Sequence, residues 1–89
     1  MYKILYLQKA IYDLDRLEAK MAQRIVKKIY FYGIQKNPLA YAKRLFQPEI
    51  GQYRFRIGDY RAIFDVDGKG RIQILMILSI KHRKDIYGL

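Results

Sequence analysis

Residues 53–64, Tyr-Arg-Phe-Arg-Ile-Gly-Asp-Tyr-Arg-Ala-Ile-Phe, leave the backbone few choices. Apolar and basic side chains alternate on both sides of Gly58-Asp59, and a period of two marks a half-buried strand. A two-residue loop with glycine first is what a type II′ hairpin turn needs. Counting outward from that loop, Ile57 faces Tyr60, Arg56 faces Arg61, Phe55 faces Ala62 and Arg54 faces Ile63. Successive side chains point to opposite faces. Tyr53, Phe55, Ile57, Tyr60, Ala62 and Phe64 therefore share an apolar face, and Arg54, Arg56 and Arg61 gather on the other.

Two arginines opposed on one face have Cβ atoms about 5 Å apart, and like charges so placed destabilise the pair. Two readings stand side by side. The arginines fan out into water, with Asp65 on the same face compensating, or they form an anion site, since guanidinium groups clamp phosphate well. Either way they read as an exposed face, from which one truncated side chain should cost little stability.

The rest of the chain supplies what covers the apolar face. Tyr2 to Leu7 reads as a short strand, with Ile4 and Tyr6 on one side and Leu5 and Leu7 on the other. From about Ala10 to Asn37 the spacing of Leu14, Leu17, Met21, Ile25, Ile29 and Tyr32 is helical. A break near Glu18-Ala19 makes this a helical hairpin, and Asn37-Pro38 ends it, because the residue before proline is pushed out of the helical basin. Leu39 to Gly51 reads as a connector, and Asp67-Gly68-Lys69-Gly70 as the next turn. Arg71 to Ile80 is then a strand, apolar on both faces from Ile74 to Leu78, which places it centrally under the helices. The expected fold is α+β: an N-terminal strand, a helical hairpin and a three-strand antiparallel meander, with the helices on one face of the sheet.

At 89 residues, 52% apolar and without cysteine, the chain is expected to form one domain over residues 1–89 without disulfide staples. The start is too short and polar for a signal peptide. The longest apolar run, Ile74 to Ile80, is far below the roughly 20 residues that span a bilayer. The expectation is a soluble, cytoplasmic protein. Eighteen Lys and Arg against eight Asp and Glu give a formal charge of +10. Such a field implies a polyanionic partner: nucleic acid or ribosome first, an acidic protein next, and a membrane surface last, since no basic amphipathic anchor stands apart. One histidine and few acids offer no metal cluster, and no cofactor is expected.

Three pieces in this order, Asn37-Pro38-Leu39 followed by Lys43-Arg44-Leu45, the Tyr53–Phe64 hairpin, and the closing His82-Arg83-Lys84-Asp85-Ile86-Tyr87, resemble the RelE/ParE superfamily of type II toxin-antitoxin toxins. The likeness covers nearly the whole chain. It implies a small cytoplasmic growth inhibitor neutralised by a cognate acidic, partly disordered antitoxin. In the RelE branch such a toxin enters the ribosomal A site and cleaves mRNA there; in the ParE branch the same fold poisons DNA gyrase and is no nuclease. The ending, with His82, Arg83 and Tyr87, is more similar to the nuclease branch. A gyrase poison, or a degenerate toxin that only binds its antitoxin, is the alternative.

Metal-free RNA cleavage needs the 2′-hydroxyl deprotonated, the pentacoordinate phosphorane stabilised and the leaving 5′-oxygen protonated. The resemblance implies that Arg61, Lys81 or Arg83, and Tyr87 carry these roles, with Arg54 and Arg56 binding phosphate, since guanidinium holds its proton too firmly to be a base. Free imidazole titrates near neutrality, which makes His82 a further candidate, although the pattern leaves its face open. Tyr87 either stacks on a base, donates a proton, or packs on the sheet edge.

Overall fold

The computed structural model describes residues 2–86, and over these the chain folds as an α+β structure with a five-stranded sheet. In chain order the elements are β1 (Tyr2–Tyr6), α1 (Gln8–Asp15), α2 (Ala19–Gly33), β2 (Ala42–Arg44), β3 (Tyr53–Ile57), β4 (Tyr60–Lys69) and β5 (Ile72–His82). Short 3₁₀ turns sit at Pro38–Tyr41 and Arg83–Asp85. The sheet order is β1-β5-β4-β3-β2. β1 runs parallel to β5, and every other neighbouring pair is antiparallel.

The hairpin register is the one that the alternation predicts: Ile57 opposite Tyr60, Arg56 opposite Arg61, Phe55 opposite Ala62, Arg54 opposite Ile63. Gly58 sits at φ +58°, and among the described residues none other than glycine has positive φ, as a type II′ turn requires. On the apolar face Phe55 and Phe64 stack with ring centroids 4.3 Å apart and are fully buried. Ala10 of α1 and Ile25 and Ile29 of α2 close over them, together with Leu75, Ile77 and Ile80 of β5. Truncating either phenylalanine to alanine in such a core costs about 3–5 kcal/mol.

The helical hairpin breaks at residues 16–18 without glycine or proline. Leu14 and Leu17 both reach the core, and the Leu17 N–H bonds the Leu14 carbonyl at 3.0 Å, closing a tight turn between the helices. α2 ends at Gly33, earlier than Asn37-Pro38 suggests. A Cβ at Gly33 would lie 2.6 Å from Cδ1 of Ile4, so the helix end packs directly on β1 before the chain turns back. Pro38 instead opens the 3₁₀ turn.

Two segments differ from the sequence reading. The connector holds a fifth strand, β2, at the sheet edge, where Ala42, Lys43 and Arg44 pair with Phe55, Arg54 and Tyr53. The turn expected at 67–70 is displaced: Asp67 and Gly68 lie within β4, and the reversal falls at Gly70, φ +61°. Gly68 serves close approach, since a Cβ there would lie 2.8 Å from the Ile72 carbonyl oxygen. β5 also carries a bulge. Phe64 pairs with Ile77 but Ile63 with Ser79, leaving Leu78 as the extra residue and shifting the alternation beyond it.

The opposite face of the sheet carries a smaller cluster of Leu45, Ile63 and Ile86, with Ile50 and Leu78 against it. The 44–52 loop is pinned over this face by Leu45 N–H to the Gln52 carbonyl at 2.8 Å and Gln52 N–H to Asp65 Oδ1 at 2.8 Å. Among the described residues no helix is long and apolar enough to cross a membrane.

Candidate functional site

Strand pairing lays the basic residues out in two rows across the face away from the helices. Arg56, Arg61 and Lys81 follow one another across β3, β4 and β5. Beside them run Lys43, Arg54 and Ile63 across β2, β3 and β4. Arg61 lies at the centre and is only 7% exposed, which corrects the expectation of a solvated arginine face. Its Nη1 donates to the Gly58 carbonyl at 3.0 Å and to the Tyr60 carbonyl at 2.9 Å, so the hairpin turn holds the guanidinium in one orientation. Its Nε is buried and finds no partner among the described residues, and the same is true of Arg54 Nε.

The electrostatics follow from this crowding. The pKa of Arg61 is lowered first by burial and then by the guanidinium groups of Arg54, Arg56 and Arg83, while Asp59 pulls the other way. That of Arg54 is lowered by burial and then by Arg56. Both stay protonated at neutral pH, because arginine does not give up its proton in proteins. The fold therefore keeps several positive charges close together, an arrangement that an oxyanion on this face relieves. Asp65 makes no ion pair with them among the described residues, and its Oδ1 accepts the Gln52 N–H.

Arg83 reaches the cluster from the end of β5. Its N–H donates to the Asp59 carbonyl at 2.8 Å, and its Nε lies 3.5 Å from Asp59 Oδ1. Ile86 anchors the segment in the smaller cluster. The structure thus brings together Arg54, Arg56, Arg61, Lys81 and Arg83. It does not bring His82 to them. His82 pairs with Tyr60, meets that ring edge-on at 5.1 Å, and uses Nδ1 to accept the Lys84 N–H at 3.1 Å. It lines a groove of about 360 Å³ with Tyr60, Asp13 and Arg16 on the helical side, a groove that its neighbour Lys81 also borders. The face left open by the sequence is settled by the bulge, which gives Lys81 to the arginines and His82 to the helices. Tyr87 lies outside the described residues.

Sequence reasoning missed Lys43 and Asp59. Lys43 joins Arg54 through a strand of three residues, too short for alternation to register. Asp59 was read as a turn residue, and nothing in the linear pattern points from it to Arg83.

A family model described as the ParE toxin of the type II toxin-antitoxin system, parDE, matches residues 4–87. Among solved structures, the chain is similar to a RelBE toxin-antitoxin complex from Mycobacterium tuberculosis, with 24% identity, 92% of this chain and 98% of that chain covered, and a TM-score of 0.69. It is also similar to a YoeB/ParE toxin from Agrobacterium tumefaciens, with 19% identity, 90% and 97% covered, and a TM-score of 0.67. A RelB-RelE antitoxin-toxin complex from Methanococcus jannaschii gives 22% identity, 93% and 94% coverage, and a TM-score of 0.57. These three likenesses are of fold. No curated protein sequence matches.

Proposed function

Because this chain belongs to the family of ParE toxins of type II toxin-antitoxin systems, and carries a convergent basic site, we propose that it inhibits growth as a ribosome-dependent, metal-independent mRNA endoribonuclease neutralised by an acidic antitoxin. The observation that carries the reading is the convergence of Arg54, Arg56, Arg61, Lys81 and Arg83 on one face of the sheet, with the Arg61 guanidinium held by the hairpin turn. Arg54 and Arg56 bind flanking phosphates. Arg61 and Arg83 grip the scissile phosphate and neutralise the phosphorane as charge builds on its oxygens. Lys81, which pairs with Arg61 in the ladder, is assigned as its free amine to take the 2′-hydroxyl proton, and Tyr87 to protonate the departing 5′-oxygen. The bond formed is 2′-oxygen to phosphorus and the bond broken is phosphorus to 5′-oxygen. His82 has no step, since it sits across the sheet. Two of the similar structures are toxins complexed with antitoxins, which supports an antitoxin partner, and a charge of +10 suits an acidic one.

A second reading, a gyrase poison without nuclease activity, is favoured by the ParE description of the family model. Purified protein added to ribosomes stalled on a defined mRNA decides between them. New mRNA ends within the A-site codon are the expected result; intact mRNA together with trapped gyrase–DNA cleavage complexes overturns it.

A further inference from the structure

The Gly58-Asp59 turn does more than reverse the chain. Its three consecutive carbonyls, from Gly58, Asp59 and Tyr60, are all used to hold basic residues of the cluster: the first and third accept from Arg61 Nη1, and the middle one accepts the Arg83 N–H. The Asp59 carboxylate adds a contact to Arg83 Nε at 3.5 Å. These two side chains are 63% and 58% exposed, so their ion pair contributes little to stability. A carboxylate beside an anion site also repels the anion. On charge alone the site would work better without it.

We propose that Asp59 is a positioning residue that grips Arg83 at backbone and side chain and so aims its guanidinium, together with that of Arg61, at a single phosphate. The identity of that phosphate as the scissile group of mRNA rests on the nuclease reading above; the geometry does not. The reasoning is that Arg83 follows β5 on a one-turn 3₁₀ segment and, without Asp59, its long side chain is held by no described residue. Arg61, by contrast, is locked by the turn and by burial. A guanidinium that must be ordered during the reaction brings less transition-state stabilisation than one already in place.

Asp59→Asn separates the two roles, since asparagine fits the turn and keeps the side-chain shape. Inorganic phosphate is titrated at constant ionic strength while the Nε–Hε signals of Arg61 and Arg83 are followed by ¹⁵N NMR. In the unaltered protein both signals should move together with one dissociation constant. In Asp59→Asn the Arg61 signal should still move and the Arg83 signal should not follow. On ribosomes the variant should lose about tenfold in kcat with KM unchanged or lower, and Asp59→Glu should recover part of the loss. Retention of the coupled Arg83 response in Asp59→Asn, or cleavage at or above the original rate, overturns the proposal. If the unaltered protein cuts no mRNA, the nuclease reading fails, and the phosphate titration alone then upholds or overturns the role of Asp59. Should Asp59→Asn not fold, Asp59→Ser, which also suits the turn, takes its place in the same titration.

Discussion

At the scale of single residues, burial decides what a substitution reports. Arg56 is exposed and Arg61 is not, although they face each other in the ladder. Arg56→Ala should leave the unfolding free energy from urea melts within about 0.5 kcal/mol of the parent while weakening cleavage. Arg61→Ala strips the Gly58 and Tyr60 carbonyls of their donor and should cost about 1–3 kcal/mol as well as roughly 10² in cleavage rate. Single-turnover assays alongside urea melts check both, and an Arg61→Ala protein that is fully stable and fully active contradicts the site. Tyr6 offers a different probe. Burial pushes its phenol up to about 12. The folded state binds that proton more tightly than the unfolded chain, whose phenol has the ordinary value of 10, so the stabilisation is complete below pH 10 and is lost as pH rises toward 12. Tyr6→Phe should flatten that part of the stability profile, as urea melts at pH 9 and pH 11 can test.

At the scale of elements, the central hairpin was legible in the sequence to the residue, because a glycine in a two-residue turn and a strict alternation constrain each other. Gly58 has nothing within 4 Å of where a Cβ would stand, so Gly58→Ala isolates the backbone term. At φ +58° it should destabilise by about 1–2 kcal/mol in urea without a packing defect. The packed face of the helical hairpin was legible too, though not its ends, since Leu14, Leu17, Met21, Ile25, Ile29 and Tyr32 all pack on the core at the spacing they show in the sequence. Other features were not. β2 is too short for a period to emerge, and Asp67-Gly68 imitates a turn because close packing against β5 and a positive φ both favour glycine. The three arginines announced themselves by sharing a face, whereas the tie between Asp59 and Arg83 depends on how β5 returns to the hairpin, which is long-range geometry.

At the scale of the whole molecule, charge and topology act together. With a formal charge of +10, RNA or ribosome binding should fall steeply with salt, and Arg54→Ala and Arg56→Ala should each lower the slope of log affinity against log salt by about 0.7–0.9. Fluorescence titrations at several salt concentrations measure this, and slopes unchanged by both substitutions would remove these residues from phosphate contact. The five strands also keep two surfaces apart, one closed by helices and one carrying the cations. The single extra residue of β5, Leu78, sets where one surface hands over to the other. It works as a reading frame does: keep that residue but pair it in regular alternation, without the bulge, and every side chain downstream changes address. His82 would arrive among the arginines and Lys81 would be driven under the helices. The identity of the residues available for proton transfer is therefore written less in which amino acids close the chain than in a count of one along the strand before them.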